Sequence, residues 1–184
     1  MSLLELIIGP MFSGKTTRLI KCYNDIKLNH TDDKILVINH IIDSKRYTNN
    51  SVVSHNGIEI PAISITKLYE ANKQLEINKN LQYIFINEGQ FFEDLQEWVI
   101  NILDTTNINI IICGLDSDYK RCKFGKIWEL VPHANYINKL HGTCNNCTNA
   151  SIFTHRVTDD KGQVVVGTCN YIPLCRKCYV KLNP

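Results

Sequence analysis

Residues 9–16 read GPMFSGKT and constrain the fold more than any other part of the chain. The pattern is GxxxxGKT. It sits between an apolar run at 3–8 and a helical pattern that begins directly behind it. Strand, glycine-rich turn and helix in that order is the setting in which these residues cradle an anion. Gly9 and Gly14 tolerate backbone angles that other residues resist, so the loop can wrap a phosphate closely. Amide N–H groups and the positive end of the following helix then face the phosphate oxygens. Lys15 reaches the terminal phosphates, and the Thr16 hydroxyl offers a ligand to Mg²⁺. An ordinary glycine turn with a solvated lysine is the competing explanation, and the flanking strand and helix weigh against it.

Behind this loop the chain alternates between strand and helix patterns. Strands are expected at 3–8, 34–39, 81–87, 109–114 and 136–140. Helices are expected at 16–28, at 66–77 with Thr66 as N-cap, at 92–104, and as a short turn at 126–130. Residues 43–57 are polar and turn-rich and read as a loop. Strands this uniformly apolar, each followed by a helix, predict an α/β fold: a parallel sheet with flanking helices. With 184 residues, 44% of them hydrophobic, one sizeable core with a small appendage is expected. The formal charge of +2 and the lack of a basic stripe argue against nucleic acid as a partner. No apolar run reaches membrane-spanning length. With no signal peptide recognisable, the expectation is a soluble cytoplasmic protein, in the host cytoplasm if viral.

The pattern changes near His141, which divides the chain into an expected nucleotide-binding domain (1–140) and a smaller module (141–184). That module carries two CxxC pairs, Cys144/Cys147 and Cys175/Cys178, out of eight cysteines. Clustered pairs in a reducing compartment point to metal rather than disulfides. Four thiolates fill a tetrahedral Zn²⁺ shell and leave no open position, so the zinc is structural. Between the pairs, residues 156–166 read as a protruding hairpin turning at 159–162.

A second chemical cluster ends the third strand, at Asn87-Glu88-Gly89-Gln90. Parallel sheets place ligands at the carboxyl ends of their strands. Glu88 there is a candidate general base toward a hydroxyl that attacks phosphorus. Asn87 stands where phosphate-binding proteins usually carry a metal-ordering aspartate. Asp116 and Asp118 follow the fourth strand, placed either to assist at the site or to cap the next turn.

These segments together resemble the thymidine kinases of animal cytosol, many bacteria and large DNA viruses. The resemblance rests on GPMFSGKT at 9–16, DSKRY at 43–47 with VVSHNG at 52–57, NEGQFF at 87–92, GLDSDYKRCKFG at 114–125 and the CxxC pairs. It implies a P-loop (RecA-like) sheet with a zinc-bound lasso, and transfer of the ATP γ-phosphate to deoxythymidine or deoxyuridine for nucleotide salvage. Catalysis would fall to Glu88 as base, with Lys15 and Arg46. ATP and Mg²⁺ would be held by Gly9, Pro10, Met11, Phe12, Ser13, Gly14, Lys15, Thr16, Asn87 and Gln90. The nucleoside would meet Met11, Phe91, Tyr119, Phe124, Thr154, Arg156, Val164, Val165, Val166, Gly167 and Tyr171. A homotetramer inhibited by deoxythymidine triphosphate is implied as well. The sequence departs from the family at Asn87 (usually Asp), at an inserted Lys45, at Cys122-Lys123 (usually proline before Phe-Gly) and at Cys169. Two other readings compete: a P-loop ATPase whose zinc module binds nucleic acid, and a nucleotide-binding regulator silenced by Asn87.

Overall fold

The computed structural model describes residues 2–44, 50–54, 56–160, 162–164 and 170–183. Its centre is a six-stranded parallel sheet. In chain order the first strands and helices are β1 (Leu4–Gly9), α1 (Lys15–Lys27), β2 (Ile35–His40) and α2 (Ile41–Ser44). A small antiparallel hairpin follows, β3 (Ser51–Val53) with β4 (Glu59–Pro61). Then come β5 (Ile63–Ile65), α3 (Asn72–Ile77), β6 (Tyr83–Ile86), α4 (Leu95–Thr105), β7 (Asn109–Leu115) and β8 (Tyr136–Lys139). The order across the sheet is β5-β2-β6-β7-β1-β8. This is the expected α/β architecture, with β1 between β7 and β8, one strand in from the edge of the sheet.

Pleating explains the two cores. Leu4, Leu6 and Ile8 of β1, Ile84 and Ile86 of β6, and Ile110 and Ile112 of β7 share one face. There they pack with Phe92, Leu95, Trp98, Val99 and Ile102 from α4 and its approach. The intervening residues Ile7, Phe85, Ile111 and Cys113 turn to the other face, against Leu19, Ile20 and Tyr23 of α1 and Val52 and Ile60 of the hairpin. Both faces are covered, which is why the strands read as continuous apolar runs. Trp98 is fully buried and donates its indole N–H to Asn72 Oδ1 at 2.7 Å.

Several elements differ from expectation. The stretch 43–57 contributes β3 and half of a hairpin, and β5 adds an edge strand that the sequence reading missed. The helix expected over 66–77 begins as a 3₁₀ turn at Leu68–Ala71. The Thr66 N–H is itself capped by Glu70 Oε1 at 3.0 Å, so Thr66 is not the N-cap. The fourth helix starts at Leu95 rather than Phe92, because 89–91 form a 3₁₀ turn. The short helix near 126–130 is a 3₁₀ segment over Ile127–His133.

The chain continues through β9 (Gly142–Thr143), β10 (Ala150–Ser151), β11 (Phe153–Arg156), β12 (Tyr171–Leu174) and α5 (Arg176–Leu182). Here β9 pairs with β10 and β11 with β12, both antiparallel. The excursion between the CxxC pairs is thus framed by β11 and β12. Among the described residues no helix is long and apolar enough to cross a membrane.

Candidate active site

The loop after β1 is built to face an anion. Gly14 takes φ 80° as the residue capping α1, a left-handed turn that glycine adopts without a Cβ penalty. Phe12 is held at φ 62° although it is not glycine. Such backbone strain costs on the order of 1–3 kcal/mol and concentrates where geometry serves function. Lys15 is buried, and its ammonium donates to the Pro10 carbonyl at 2.7 Å. Burial pushes the Lys15 pKa down, opposed by the negative charge of Glu88 and of Asp116. Asp116 is itself buried and pairs with Lys139 Nζ at 2.6 Å.

The carboxyl end of β6 carries the second strained residue. Glu88 sits at φ 55°, ψ 43°, which breaks the pleat and turns its side chain into the same cleft as Lys15 and Thr16. Its neighbours go elsewhere. Gln90 is buried, donates from Nε2 to Glu88 Oε2 at 2.5 Å and accepts the Leu115 N–H at 2.9 Å. Asn87 is also buried. Its amide donates to Asn39 Oδ1 at 2.9 Å and to Asp43 Oδ2 at 3.4 Å, and its Oδ1 accepts from the Cys113 thiol at 3.0 Å. The sequence reading placed Asn87 and Gln90 among the nucleotide and metal ligands. In the structure neither lines the cleft, and the polar atoms of both are engaged within the protein. Burial drives the Cys113 thiol up to about 12, so it stays protonated.

The cleft encloses about 930 Å³, counting its open mouth, and gathers most of the expected substrate residues. Met11, Phe91, Tyr119, Phe124, Thr154, Val164 and Tyr171 all line it, with Lys15, Thr16 and Glu88. Phe91 meets Phe124 edge to face, ring centroids 5.5 Å apart, a favourable aromatic geometry. Behind Phe91, the His40 ring packs on Phe91 and Phe92 at 5.5 and 4.7 Å. Burial lowers the His40 pKa.

Arg156 lies outside the cleft lining. Its guanidinium stacks 3.8 Å over the Tyr119 ring and donates to the Tyr171 hydroxyl at 2.6 Å. It also donates to the carbonyls of Asp160, Gly162 and Gln163. Arg156 therefore gathers the segment after β11 rather than facing substrate directly. Arg46, Val165, Val166 and Gly167, with His55 and Cys169, lie outside the described residues.

Sequence reasoning missed Thr17, Ile42, Leu115, Ser117 and Gln163, which also line the cleft. Leu115 and Ser117 carry a legible signal, since they flank the carboxyl end of a central strand. Gln163 carries none. Asp118 resolves as both a lining residue and a turn cap. Its carboxylate accepts the N–H groups of Lys120 and Cys122 at 2.9 Å each and Gln163 Nε2 at 3.0 Å.

The CxxC pairs converge. The sulfurs of Cys144, Cys147, Cys175 and Cys178 all lie within 4.8 Å of one another. Cys147 is 3.7 Å from both Cys175 and Cys178. A disulfide requires about 2.05 Å. A tetrahedron with Zn–S bonds of about 2.3 Å has edges near 3.8 Å. The separations match a Cys₄ zinc shell, which these residues can hold. His155 is not part of it; its Nδ1 lies 3.1 Å from Asn183 Nδ2. The module is tied to the cleft at two points. Thr154 Oγ1 accepts the Met11 N–H at 3.0 Å, and the Tyr179 hydroxyl donates to the Tyr119 carbonyl at 2.5 Å.

Compared with known proteins, residues 2–179 match the sequence model of the family described as "Thymidine kinase". The chain is 34% identical over 179 residues to "Thymidine kinase a" of Arabidopsis thaliana, covering 96% of this chain and 74% of that protein. It is 37% identical over 177 residues to the thymidine kinase of sheeppox virus, covering 96% of each. It is 36% identical over 184 residues to that of Mycoplasma mobile, covering 97% of this chain and 88% of the relative.

Proposed function

The chain belongs to the thymidine kinase family and is an ATP-dependent kinase; from that premise we propose that it moves the ATP γ-phosphoryl group onto the 5′-hydroxyl of deoxythymidine. One observation carries the reading. Glu88, Lys15 and Thr16 open onto the same cleft as an aromatic wall of Phe91, Phe124 and Tyr171.

Phosphates enter the 9–16 loop, and Lys15 exchanges the Pro10 carbonyl for phosphate oxygens. Glu88 accepts the 5′-hydroxyl proton as that oxygen bonds to the γ-phosphorus. The bond to the β–γ bridging oxygen breaks, and ADP leaves. Mg²⁺ held there would neutralise phosphate charge. Thr16, on the cleft, would offer it a hard oxygen donor of the kind it prefers. Met11, Phe91, Tyr119, Phe124, Thr154, Val164 and Tyr171 hold the nucleoside, and Arg156 shapes the cover above it. Excluding water protects the γ-phosphoryl group from hydrolysis. Deoxyuridine lacks only a methyl group, a difference of roughly 1–3 kcal/mol in an apolar pocket, so it is accepted too.

Roles for Arg46 over the phosphates and for Val165, Val166 and Gly167 at the base rest on the family resemblance. So do a homotetramer, inhibition by deoxythymidine triphosphate, a cytoplasmic location and a part in nucleotide salvage. The division into 1–140 and 141–184 follows the change in composition.

The test is phosphate transfer from ATP-Mg²⁺ to a panel of nucleosides, with Glu88→Gln beside the native protein. Deoxythymidine monophosphate should form, and the variant should fall by about 10²–10⁴-fold while still binding ATP. A variant as fast as the native protein would refute the base assignment. ATP turnover without nucleoside product would favour the ATPase reading.

A further inference from the structure

We infer that Gln90 is a positioning residue for the phosphoryl transfer, a two-handed clasp that fixes which oxygen of Glu88 faces the acceptor hydroxyl. This rests on reading Glu88 as the base.

Each hand of the clasp is occupied. Nε2 donates to Glu88 Oε2 at 2.5 Å, and Oε1 accepts the Leu115 N–H at 2.9 Å. The second bond anchors the side chain to the carboxyl end of β7, the central strand beside β1. Gln90 is buried and outside the cleft, so it does not compete for substrate. The backbone below it is fixed as well. Gly125 approaches so closely that a Cβ there would meet the Gln90 carbonyl oxygen at 2.1 Å, and its φ of 63° is one that side chains resist.

Glu88 needs such support. Its backbone is strained, and the 3₁₀ turn behind it spans three residues. A carboxylate on a short strained turn samples several rotamers unless something selects one. Gln90 selects it by engaging Oε2, which leaves Oε1 as the oxygen presented to the hydroxyl. Charge-assisted hydrogen bonds are directional enough to hold such an orientation. General-base catalysis depends on that geometry before anything else.

Two variants separate clasp from scaffold. Gln90→Met removes both hands. Gln90→Glu keeps an acceptor for the Leu115 N–H but turns a carboxylate oxygen toward Glu88. Single-turnover transfer should fall about 10- to 100-fold in both, with KM for ATP and for the nucleoside within about threefold of native. A Gln90→Glu protein at the native rate would mean that only the Leu115 bond matters and would overturn the proposal.

The contact is also read without altering Gln90, which covers the case of variants that fail to fold. In the native protein, donation to a carboxylate places one Gln90 side-chain amide proton downfield by NMR. Glu88→Gln should move that resonance upfield, and an unmoved resonance would refute the contact. The base reading fails separately, if Glu88→Gln keeps its rate. A dead Glu88→Gln beside a native-rate Gln90→Glu sinks the clasp alone.

Discussion

Replacing Asn87 by Asp, which restores the residue usual in this family, should destabilise this protein. Asn87 donates its amide into a buried cluster, 2.9 Å from Asn39 Oδ1 and 3.4 Å from Asp43 Oδ2. An aspartate puts a carboxylate oxygen where the donor was. Two unit charges about 3.4 Å apart repel by roughly 5 kcal/mol at an effective dielectric near 20. The protein can escape by keeping one carboxyl protonated. From an ordinary carboxyl pKa near 3.9, that costs about 4 kcal/mol at pH 7. The cheaper route sets the ceiling, so the loss should be about 3–4 kcal/mol, or a fall of roughly 10 °C in Tm for a chain of this size.

The sign with pH follows. The new carboxyl titrates higher in the folded state than in the unfolded chain. The penalty is therefore absent below the unfolded value near 4, grows as pH rises toward the folded value, and levels off above it. Urea melts of both proteins at pH 7 and pH 4.5 should show the gap closing on acidification. Adding Asp43→Asn should restore most of the loss, since it removes the repelling charge. An Asn87→Asp protein as stable as native at pH 7 would refute the reasoning and return position 87 to the metal shell. A lowered Mg²⁺ requirement would point the same way.

Cys144→Ser should abolish stoichiometric zinc by elemental analysis and lower the melting temperature, because structural zinc contributes folding energy directly; retained zinc would reject the Cys₄ shell. Tyr179→Phe loses the bond to the Tyr119 carbonyl. It should raise the nucleoside KM about fivefold, the equivalent of roughly 1 kcal/mol, with zinc content and the KM for ATP unchanged; an unmoved nucleoside KM would contradict the coupling. Arg156→Met orphans the carbonyls of Asp160, Gly162 and Gln163, so limited proteolysis should cut faster at 157–164, and Arg156→Lys should not rescue it because an ammonium lacks the planar fork. Equal cleavage of native and Met proteins would remove Arg156 from that role.

What the sequence conveys well is whatever repeats with the period of a strand or helix. Apolar runs at 3–8, 81–87 and 109–114 become central strands because both faces of the sheet are covered. What it conveys poorly is short or polar. The three-residue strands β3, β4 and β5 are set by tertiary pairing rather than by any local pattern. Asn87 lies off the cleft lining for a physical reason that the pleat makes plain. Residues 85 and 87 fall on the same face of β6, and that face packs Phe85 on α1 and β3 beside Cys113. Glu88 escapes the alternation only because its left-handed backbone turns it toward the cleft. Motif spelling treats 87–90 as one cluster, whereas the backbone sends its side chains three ways.

The same logic explains why a metal belongs in the C-terminal module. Its strands run two to four residues, and its buried apolar cluster reduces to Leu174 and Tyr179 beside cysteines, with Phe153 and Ile172 at the margin. Burial on that scale does not offset the entropy of ordering the segment. Four thiolates on one ion would supply the difference. The attachments then decide where the metal's influence is felt. Thr154 holds the Met11 N–H, and Tyr179, next to ligand Cys178, holds the Tyr119 carbonyl. Met11 and Tyr119 both line the cleft. Lys15, by contrast, is braced by Pro10 within its own loop. Met11 also belongs to the phosphate loop, but Tyr119 serves the nucleoside wall alone and Lys15 keeps its own brace, so stripping the metal should weaken nucleoside binding more than nucleotide binding, and isothermal titrations of a chelated sample with each ligand would separate the two. Equal losses for both would place the module's support under the whole cleft instead of its nucleoside wall.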